Sequence, residues 1–277
     1  MTCSTGGRGN DLDLISGHGD DRIFAGRGKD VILPMQGDDL TDGGEGRDLL
    51  NLFWEGGRFG SISSHRRELH VSLPRGMAEG MGGDRLRRIE DVWGGSGDDR
   101  IIGDGKPNLL GATDDQGEGR SDQNLLKGRG GSDRFIASPG ADRLYGGPGR
   151  DQVRFALNES GFAPGWGVTI DLSRGRIRGE STDYIFDIEA ALGTGGDDLF
   201  IGNNLANYFR GDYGQDTARG GRGPDVLYGG TQGDALAGNR GKDELDGGRG
   251  PNTNDGGPGI DRCVRPATGE GASRCER

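Results

Sequence analysis

From Gly193 to Val264 the chain repeats itself every nine residues: GTGGDDLFI, GNNLANYFR, GDYGQDTAR, GGRGPDVLY, GGTQGDALA, GNRGKDELD, GGRGPNTND, GGPGIDRCV. Each nine opens with Gly, holds Asp or Asn at its sixth place and mostly has an apolar residue at its eighth. A fixed short period dictates a stacked-repeat architecture before any other consideration applies. The first six places are rich in Gly and polar residues, which suits a tight turn with positive φ. The last three are rich in Leu, Val, Phe and Tyr, which suits a short strand. A coil of two strands uses two nines, so the loop of one repeat lies against the loop eighteen residues on, roughly 4.8 Å away. Sixth-place carboxylates then stand in columns.

The same period runs through two earlier stretches. After an irregular copy at Gly6–Leu14 (GGRGNDLDL, with Asp13 where an apolar residue belongs), four nines follow from Ser16 to Asn51 and place Asp21, Asp30, Asp39 and Asp48 sixth. The third of them starts with Pro34 and Met35, where small residues are expected. Residues 94–154 carry six more nines around a seven-residue insertion, ATDDQGE, which reads as a surface loop with Asp114 and Asp115 solvated. Residues 52–93 and 155–192 break the pattern and are copies of each other: LHVSLPRGMAEGMGGDRLRRIEDV aligns with VTIDLSRGRIRGESTDYIFDIEAA at an offset of 99 residues, or eleven nines. A unit of about 100 residues has been duplicated. HVSL and VTIDL alternate as strands do, so both breaks are expected to add longer strands to the coil rather than form separate domains. The organisation is then a repeat block at 1–51, a joining insertion at 52–93, a central block at 94–154, a second insertion at 155–192, a C-terminal block at 193–264 and a cap at 265–277.

Two counts test this register with residues that did not define it. Seven prolines fall within the eighteen regular nines (34, 107, 139, 148, 224, 251 and 258), and none occupies a strand place, as the missing N–H of Pro demands. The eighth place is aliphatic or aromatic in 14 of 18 nines, Thr41, Ala218, Asn254 and Cys263 being the exceptions, so the eighth-place residues form the core.

Without the repeat, 60 Gly, 6% aromatics and a mean hydropathy of −0.72 would describe a disordered chain rather than an ordinary core. A formal charge of −11 disfavours nucleic acid and favours cations as partners. Cys263 and Cys275 lie 12 apart at the C-terminus, where they either form a disulfide across the end of the array or remain two thiols; Cys3 has no evident partner. The bridge implies an oxidising compartment. MTCSTGGRGND lacks the apolar region of a signal peptide, and no run is long enough to span a bilayer.

A GGxGxD loop turns several backbone carbonyls and one carboxylate toward a common point. Oxygen-only coordination suits a hard cation, and Ca2+ takes six to eight oxygens with flexible geometry. One loop cannot fill that shell, whereas two stacked loops can. The candidate ligands are Asp21, Asp30, Asp39, Asp48, Asp99, Asp133, Asp142, Asp151, Asp198, Asp216, Asp225, Asp234, Asp243 and Asp261. The pairs with Asp at both ends are Asp21/Asp39, Asp30/Asp48, Asp133/Asp151, Asp198/Asp216, Asp216/Asp234, Asp225/Asp243 and Asp243/Asp261. They make roughly seven sites, enough positive charge to offset the −11. Asn108, Asn124, Asn207 and Asn252 offer a neutral oxygen and weaker sites, while Met35 and Gln232 intrude on loop positions and make Asp39 and Asp234 less secure.

The nonapeptide G-G-x-G-x-D-x-U-x is matched by GGEGRDLLN, GGSGDDRII, GGPGRDQVR and GGRGPDVLY. On these residues the chain resembles the haemolysin-type calcium-binding (RTX) repeat proteins, over about 160 regular residues and the two breaks. The breaks are similar to the IE-containing segments that join repeat blocks in large secreted members. The resemblance implies a parallel β-roll, disordered without Ca2+ and folding in the millimolar calcium outside cells, and it implies secretion. The Cys-bearing C-terminus departs from the Cys-free secretion signal of the family's exporter substrates.

Other chemistries find little support. His18 is a variable loop residue, and His65 and His70 in SSHRRELH lack the Glu placement of a zinc-protease helix. Neither a G-x-S-x-G elbow nor a P-loop lysine occurs. Trp54, Trp93 and Trp166 lie in or beside the breaks as packing residues, and Glu90 and Glu189 are either ligands or polar anchors. The fold expected is all-β, a right-handed parallel β-roll or solenoid of nonapeptide repeats with two longer-stranded insertions. The expected role is calcium binding by a secreted structural module without catalysis. Two alternatives are the non-catalytic tail of a secreted protease, lipase or epimerase, and a calcium-dependent adhesion or surface protein with a glycan or cell-surface partner.

Overall fold

Strand pairing follows the period. In the computed structural model, which describes residues 1–12, 14–52, 68–112, 122–155, 165–179, 181–265 and 271–276, parallel strands pair residues eighteen apart, as in Ile23 with Thr41 and Phe209 with Leu227. Across the seven-residue insertion the spacing becomes 25, with Ile101 opposite Leu126 and Leu110 opposite Phe135. The insertion with Asp114 and Asp115, Trp54 and His65 lie outside the described residues.

The chain divides into two units, Met1–Gly149 and Arg150–Arg277. Each is a parallel β-roll of two facing sheets, with alternate nines feeding alternate sheets. In the second unit one sheet carries Leu199–Ile201, Thr217–Arg222, Ala235–Arg240 and Thr253–Asp255, and the other carries Tyr208–Asp212, Val226–Thr231, Glu244–Arg249 and Arg262–Cys263. Several strands run past the three expected places into the next loop, Thr217–Arg222 and Arg22–Gly28 among them, because parallel pairing continues beyond the first Gly. Eighth-place residues point between the sheets. Ile23, Ile32, Leu50, Ile101, Leu110, Leu126, Phe135, Leu144, Phe200, Phe209, Leu227 and Leu245 are fully buried, and so are Thr41 and Ala218.

Both breaks extend the sheet, and they do so by number of strands rather than by length. His70–Ser72, Met77–Glu79 and Gly83–Arg87 form an antiparallel meander whose last strand pairs in parallel with Leu40–Gly46 and whose first pairs in parallel with Arg100–Ile102. Thr169–Asp171, Arg176–Arg178 and Thr182–Phe186 form the second meander, with strand bounds 99 residues on from the first. The tight bends agree as well: Gly76 and Gly175 have φ of 62° and 63°, and Arg88 and Asp187 have 50° and 53°. Duplication therefore copied the meander strand for strand. Val71, Ala78, Ile170, Ile177 and Ile185 carry the buried layer through both breaks.

At the C-terminus Cys263 and Cys275 are bridged, with Cα atoms 5.7 Å apart, and Ala272–Ser273 adds a further parallel strand beside Thr253–Asp255. Cys3 is a free, exposed thiol in Cys3–Thr5, a strand that pairs with Arg22–Phe24 at a spacing of 19. No helix among the described residues is long and apolar enough to cross a membrane.

Phe200 and Phe209 face each other from opposite sheets, their rings stacked with centroids 4.7 Å apart. Phe209→Ala is expected to cost about 3–5 kcal/mol, read as a lowered midpoint of thermal unfolding in saturating calcium. Leu205→Ala, at a side chain 57% exposed, is expected to stay within about 0.5 kcal/mol.

Candidate metal centres

One turn stands for the others. In Gly211–Arg219 the second and fourth places, Asp212 and Gly214, take φ of 76° and 112°, which swings the chain round so that Asp216 at the sixth place folds back beneath the loop. One oxygen of Asp216, Oδ1, accepts the backbone N–H of Asp198 at 2.9 Å, and the N–H of Asp216 donates to Oδ1 of Asp234 at 2.9 Å. The ladder continues from Asp234 to Asn252 at 2.8 Å. A parallel ladder joins Asn207, Asp225, Asp243 and Asp261 at 2.8–2.9 Å. In the first unit the ladders run from Asp21 through Asp39 to Asp84, from Asp30 through Asp48 to Glu90, and from Asp99 through Asn124 to Asp142; Asn108 donates likewise to Asp133.

Backbone hydrogen bonding thus uses Oδ1. The second oxygen, Oδ2, is buried and meets no hydrogen-bond donor in Asp21, Asp30, Asp39, Asp48, Asp99, Asp216, Asp225, Asp234, Asp243 and Asp261. It points beneath the first Gly of its own loop, where a backbone carbonyl also arrives from the coil eighteen residues on. A Cβ built on Gly211 would lie 1.9 Å from Asp216 Oδ2 and 2.7 Å from the Gly229 carbonyl oxygen. At Gly193 the same two distances are 2.2 and 2.7 Å, to Asp198 and Gly211; at Gly238 they are 2.4 and 2.7 Å, to Asp243 and Gly256. Two acceptors converging on one buried point, with no protein donor between them, fit a cation. Among the described residues no three His, Cys, Asp or Glu side chains gather as a metal-binding group. The shell must therefore draw on backbone carbonyls, as hard-cation loops do.

All fourteen sequence-derived aspartates are buried. Two differ in their partners, and both have a hydroxyl residue at the second place of the loop. Asp142 Oδ2 accepts the Ser138 hydroxyl at 3.1 Å, and Asp198 accepts the Thr194 N–H at 2.7 Å on Oδ2 and its hydroxyl at 2.9 Å on Oδ1. A cation there has to displace a protein hydrogen bond. Asp39 and Asp234 hold the same ladder position as their neighbours despite Met35 and Gln232, the latter accommodated at φ 79°.

Three sixth-place carboxylates were not among the candidates. Asp84 accepts the Asp39 N–H at 3.0 Å; Glu90 and Glu189 accept those of Asp48 and Asp151 through Oε2 at 3.0 and 2.9 Å. The two glutamates therefore serve as anchors of the ladder, with a longer side chain in the aspartate's place. Their signal was the closing half of the repeat alone, DRLR, EDVW and EAAL, without the glycine loop before it. His18 and His70 are exposed and enter no such site.

Burial raises most of these carboxyls. Asp48, Asp142 and Asp198 are pushed up to about 6, Asp84 and Asp225 to about 7, and Asp99 and Asp216 to about 8. Asp39, Asp234, Asp243 and Glu189 are raised for the same reason. Asp21 is held low, chiefly by the Thr2 N–H.

Two predictions follow from this geometry. Gly211→Ala puts a methyl on the Asp216 oxygen and is expected to remove one bound ion and cost several kcal/mol in calcium. Gly7→Ala, with open space around it, is expected to be silent; calorimetric titration of both compares them. The pH prediction concerns the metal-free chain. A carboxyl at about 8 in the roll and about 3.9 when unfolded stays protonated only in the roll between those values. Folding then requires proton uptake, so metal-free stability falls as pH rises from about 4 to about 8. Circular dichroism in chelator should give more β signal at pH 4.5 than at pH 8, and the opposite trend would contradict the assignment.

A model of the RTX calcium-binding nonapeptide repeat, four copies long, matches residues 5–32, 15–50, 89–108, 118–154, 192–227, 210–243, 219–253 and 228–263, more than half of the chain. No curated protein matches it. The matched segments are the stretches that carry the carboxylate ladders, and their repeats make calcium the cation that fits the buried oxygens. The chain belongs to the family of RTX calcium-binding nonapeptide-repeat proteins, and its repeats form a calcium-binding β-roll.

Proposed function

We infer that the chain is a calcium-dependent folding module of the cell exterior, with no catalysis of its own, in which metal binding and folding are one event. The ions would sit against the donor-free sixth-place oxygens, each completed by a first-place carbonyl from the coil eighteen residues on. The fourteen aspartates predicted from the repeat are the proposed ligand set, and roughly seven ions is the proposed complement. The repeat blocks at 1–51, 94–154 and 193–264 would take up the ions, with the segments at 52–93 and 155–192 joining them and 265–277 closing the last.

The observation that carries this reading is the row of ten aspartate oxygens buried without a donor. A buried carboxylate without a donor disfavours the metal-free roll whenever it is ionised. A chain with 60 Gly and 30% hydrophobic residues has little apolar burial to set against that cost and against chain ordering. Divalent cations reverse the balance, because the buried oxygens become ligands. The exterior is where calcium is abundant enough to do so, and the Cys263–Cys275 bridge suits an oxidising compartment.

Circular dichroism at pH 7.5 tests the coupling. The chain in chelator is expected to be disordered and to gain β signal cooperatively as calcium is added, with magnesium less effective because it holds its water and its octahedral geometry. A spectrum indifferent to calcium overturns the reading.

A further inference from the structure

The turn at Asp261 departs in one respect from those around Asp198, Asp216 and Asp243. In the turns opened by Gly193, Gly211 and Gly238 the carbonyl that meets the sixth-place oxygen belongs to a first-place Gly of the following coil, whereas at Gly43 and Gly247 the carbonyl of Arg88 or Arg265 takes that place. Residues 265–277, RPATGEGASRCER, do not continue the nonapeptide pattern. The position is nevertheless filled: a Cβ built on Gly256 would lie 2.2 Å from the carbonyl oxygen of Arg274 and 2.9 Å from Asp261 Oδ2. Arg274 is eighteen residues beyond Gly256 and stands where the next first-place Gly would stand. Asp261 is 1% exposed, and its Oδ2 is buried with no hydrogen-bond partner.

Arg274 is held there by a short strand, a few backbone bonds, one ion pair and one covalent bond. Ala272–Ser273 is a two-residue strand. Beyond the parallel pairing of Ala272–Ser273 with Asn254–Asp255, backbone bonds run from Asn254 N–H to the Gly271 carbonyl at 3.0 Å, from Gly256 N–H to that of Ser273 at 3.0 Å, and from Glu276 N–H to that of Asp261 at 2.6 Å. An exposed ion pair joins Arg274 to Asp255, and such pairs contribute little. The disulfide from Cys275, next to Arg274, to Cys263 in the last strand of the opposite sheet closes the tail onto the coil. A cross-link of this kind removes the freedom that would otherwise disperse the tail.

We propose that the disulfide-clipped tail builds a terminal calcium site between Asp261 Oδ2 and the Arg274 carbonyl, and that this site exists only while Cys263 and Cys275 are bridged. The site lies beyond the pairs with Asp at both ends and rests on the calcium reading of the repeats. Reduction by an external phosphine breaks the S–S bond: the phosphine takes an oxygen from water and becomes its oxide, and two electrons and two protons leave both cysteines as thiols. The Arg274 carbonyl then loses its tether, and the final carboxylate loses its partner oxygen. The number of ions held by the array is thereby set by the redox state of its end.

The test counts calcium ions per full-length chain by native mass spectrometry, in a Cys3→Ser background that prevents disulfide exchange with the free thiol. The oxidised chain is compared with Cys263→Ser/Cys275→Ser, with Asp261→Asn and with all three substitutions together. The double-Cys variant and Asp261→Asn are each expected to bind one ion fewer while keeping the calcium-induced β signal, and the triple variant to lose no more than either. Phosphine treatment should remove the same ion reversibly, with return on reoxidation. Equal counts in the oxidised and double-Cys chains overturn the site, and so does additive loss in the triple variant. Collapse of all calcium binding on losing the cysteines, with Asp261→Asn unaffected, assigns the bridge to holding the fold and overturns the proposal too. An oxidised chain that binds no calcium overturns the reading of the repeats themselves, which the other outcomes leave standing.

Discussion

Everything in this fold hangs on one hydrogen bond repeated along each column, in which a sixth-place carboxylate accepts the N–H of the residue one coil earlier, as Asp216 does from Asp198 and Asp243 from Asp225. Charge-assisted bonds of this type are among the stronger ones a chain can make. Fixing one oxygen also fixes the other. Oδ2 is left facing the coil's own loop, out of water, beside a carbonyl with the same sign of partial charge. The ladder that stacks the coils is therefore also what creates a demand for cations between them. Neither function can be separated from the other by moving the side chain, because both belong to the same carboxyl group.

That arrangement gives the three glycines of a loop three distinct reasons. The first place has no room: at Gly128 a Cβ would lie 1.9 Å from the Asp133 carboxylate. Many second and fourth places instead take positive φ, 114° at Gly221 and 96° at Gly223. Exceptions sort accordingly. Asp212, Asn239 and even Arg129 occupy second places at φ of 71–81°, a modest conformational cost, and Gln232 does so at a fourth place. At the first place the substitutes seen in interior nines are small or lack a free N–H, as with Ser16, Ala25, Pro34 and Ala137. Crowding is thus the stricter demand, and backbone sign the looser one.

The period disclosed the coil spacing, the buried eighth places and the aspartate columns, because each follows from residue type at a fixed interval. The 99-residue copy was equally legible and reappears in the strand bounds of both meanders. Other features depend on contacts that the repeat does not encode. The antiparallel meanders use short strands joined by bends at Gly76 and Gly175, whereas alternation alone gives strand character without direction or partner. Glu90 and Glu189 stayed open between ligand and anchor because their half-repeats lack the glycine loop, although counting back from the core positions Val92 and Ala191 puts both at the sixth place. The different state of Asp142 and Asp198 is set by the hydroxyl residues Ser138 and Thr194, four positions earlier, which read in sequence as ordinary loop residues.

The ends of the columns show how the same geometry closes without another repeat. Only three of the eighteen regular nines finish in Asp: Asp42, Asp246 and Asp255. Each meets an arginine at the position where the first Gly of the next coil would fall. Arg88 Nε reaches Asp42 Oδ1 at 2.7 Å, Arg265 pairs with Asp246 through two bonds of 2.8 and 2.6 Å, and Arg274 pairs with Asp255 in the same two-pronged way. These contacts hold the carboxyls of Asp246 and Asp255 below their usual range. An arginine side chain cannot enter the interior at the first place, since the loop carboxylate fills that space wherever a nine follows. At Arg88, Arg265 and Arg274 the side chain instead turns outward to the ninth-place Asp. A guanidinium then accompanies each ninth-place aspartate, and these three carboxylates need no exchangeable cation to neutralise them.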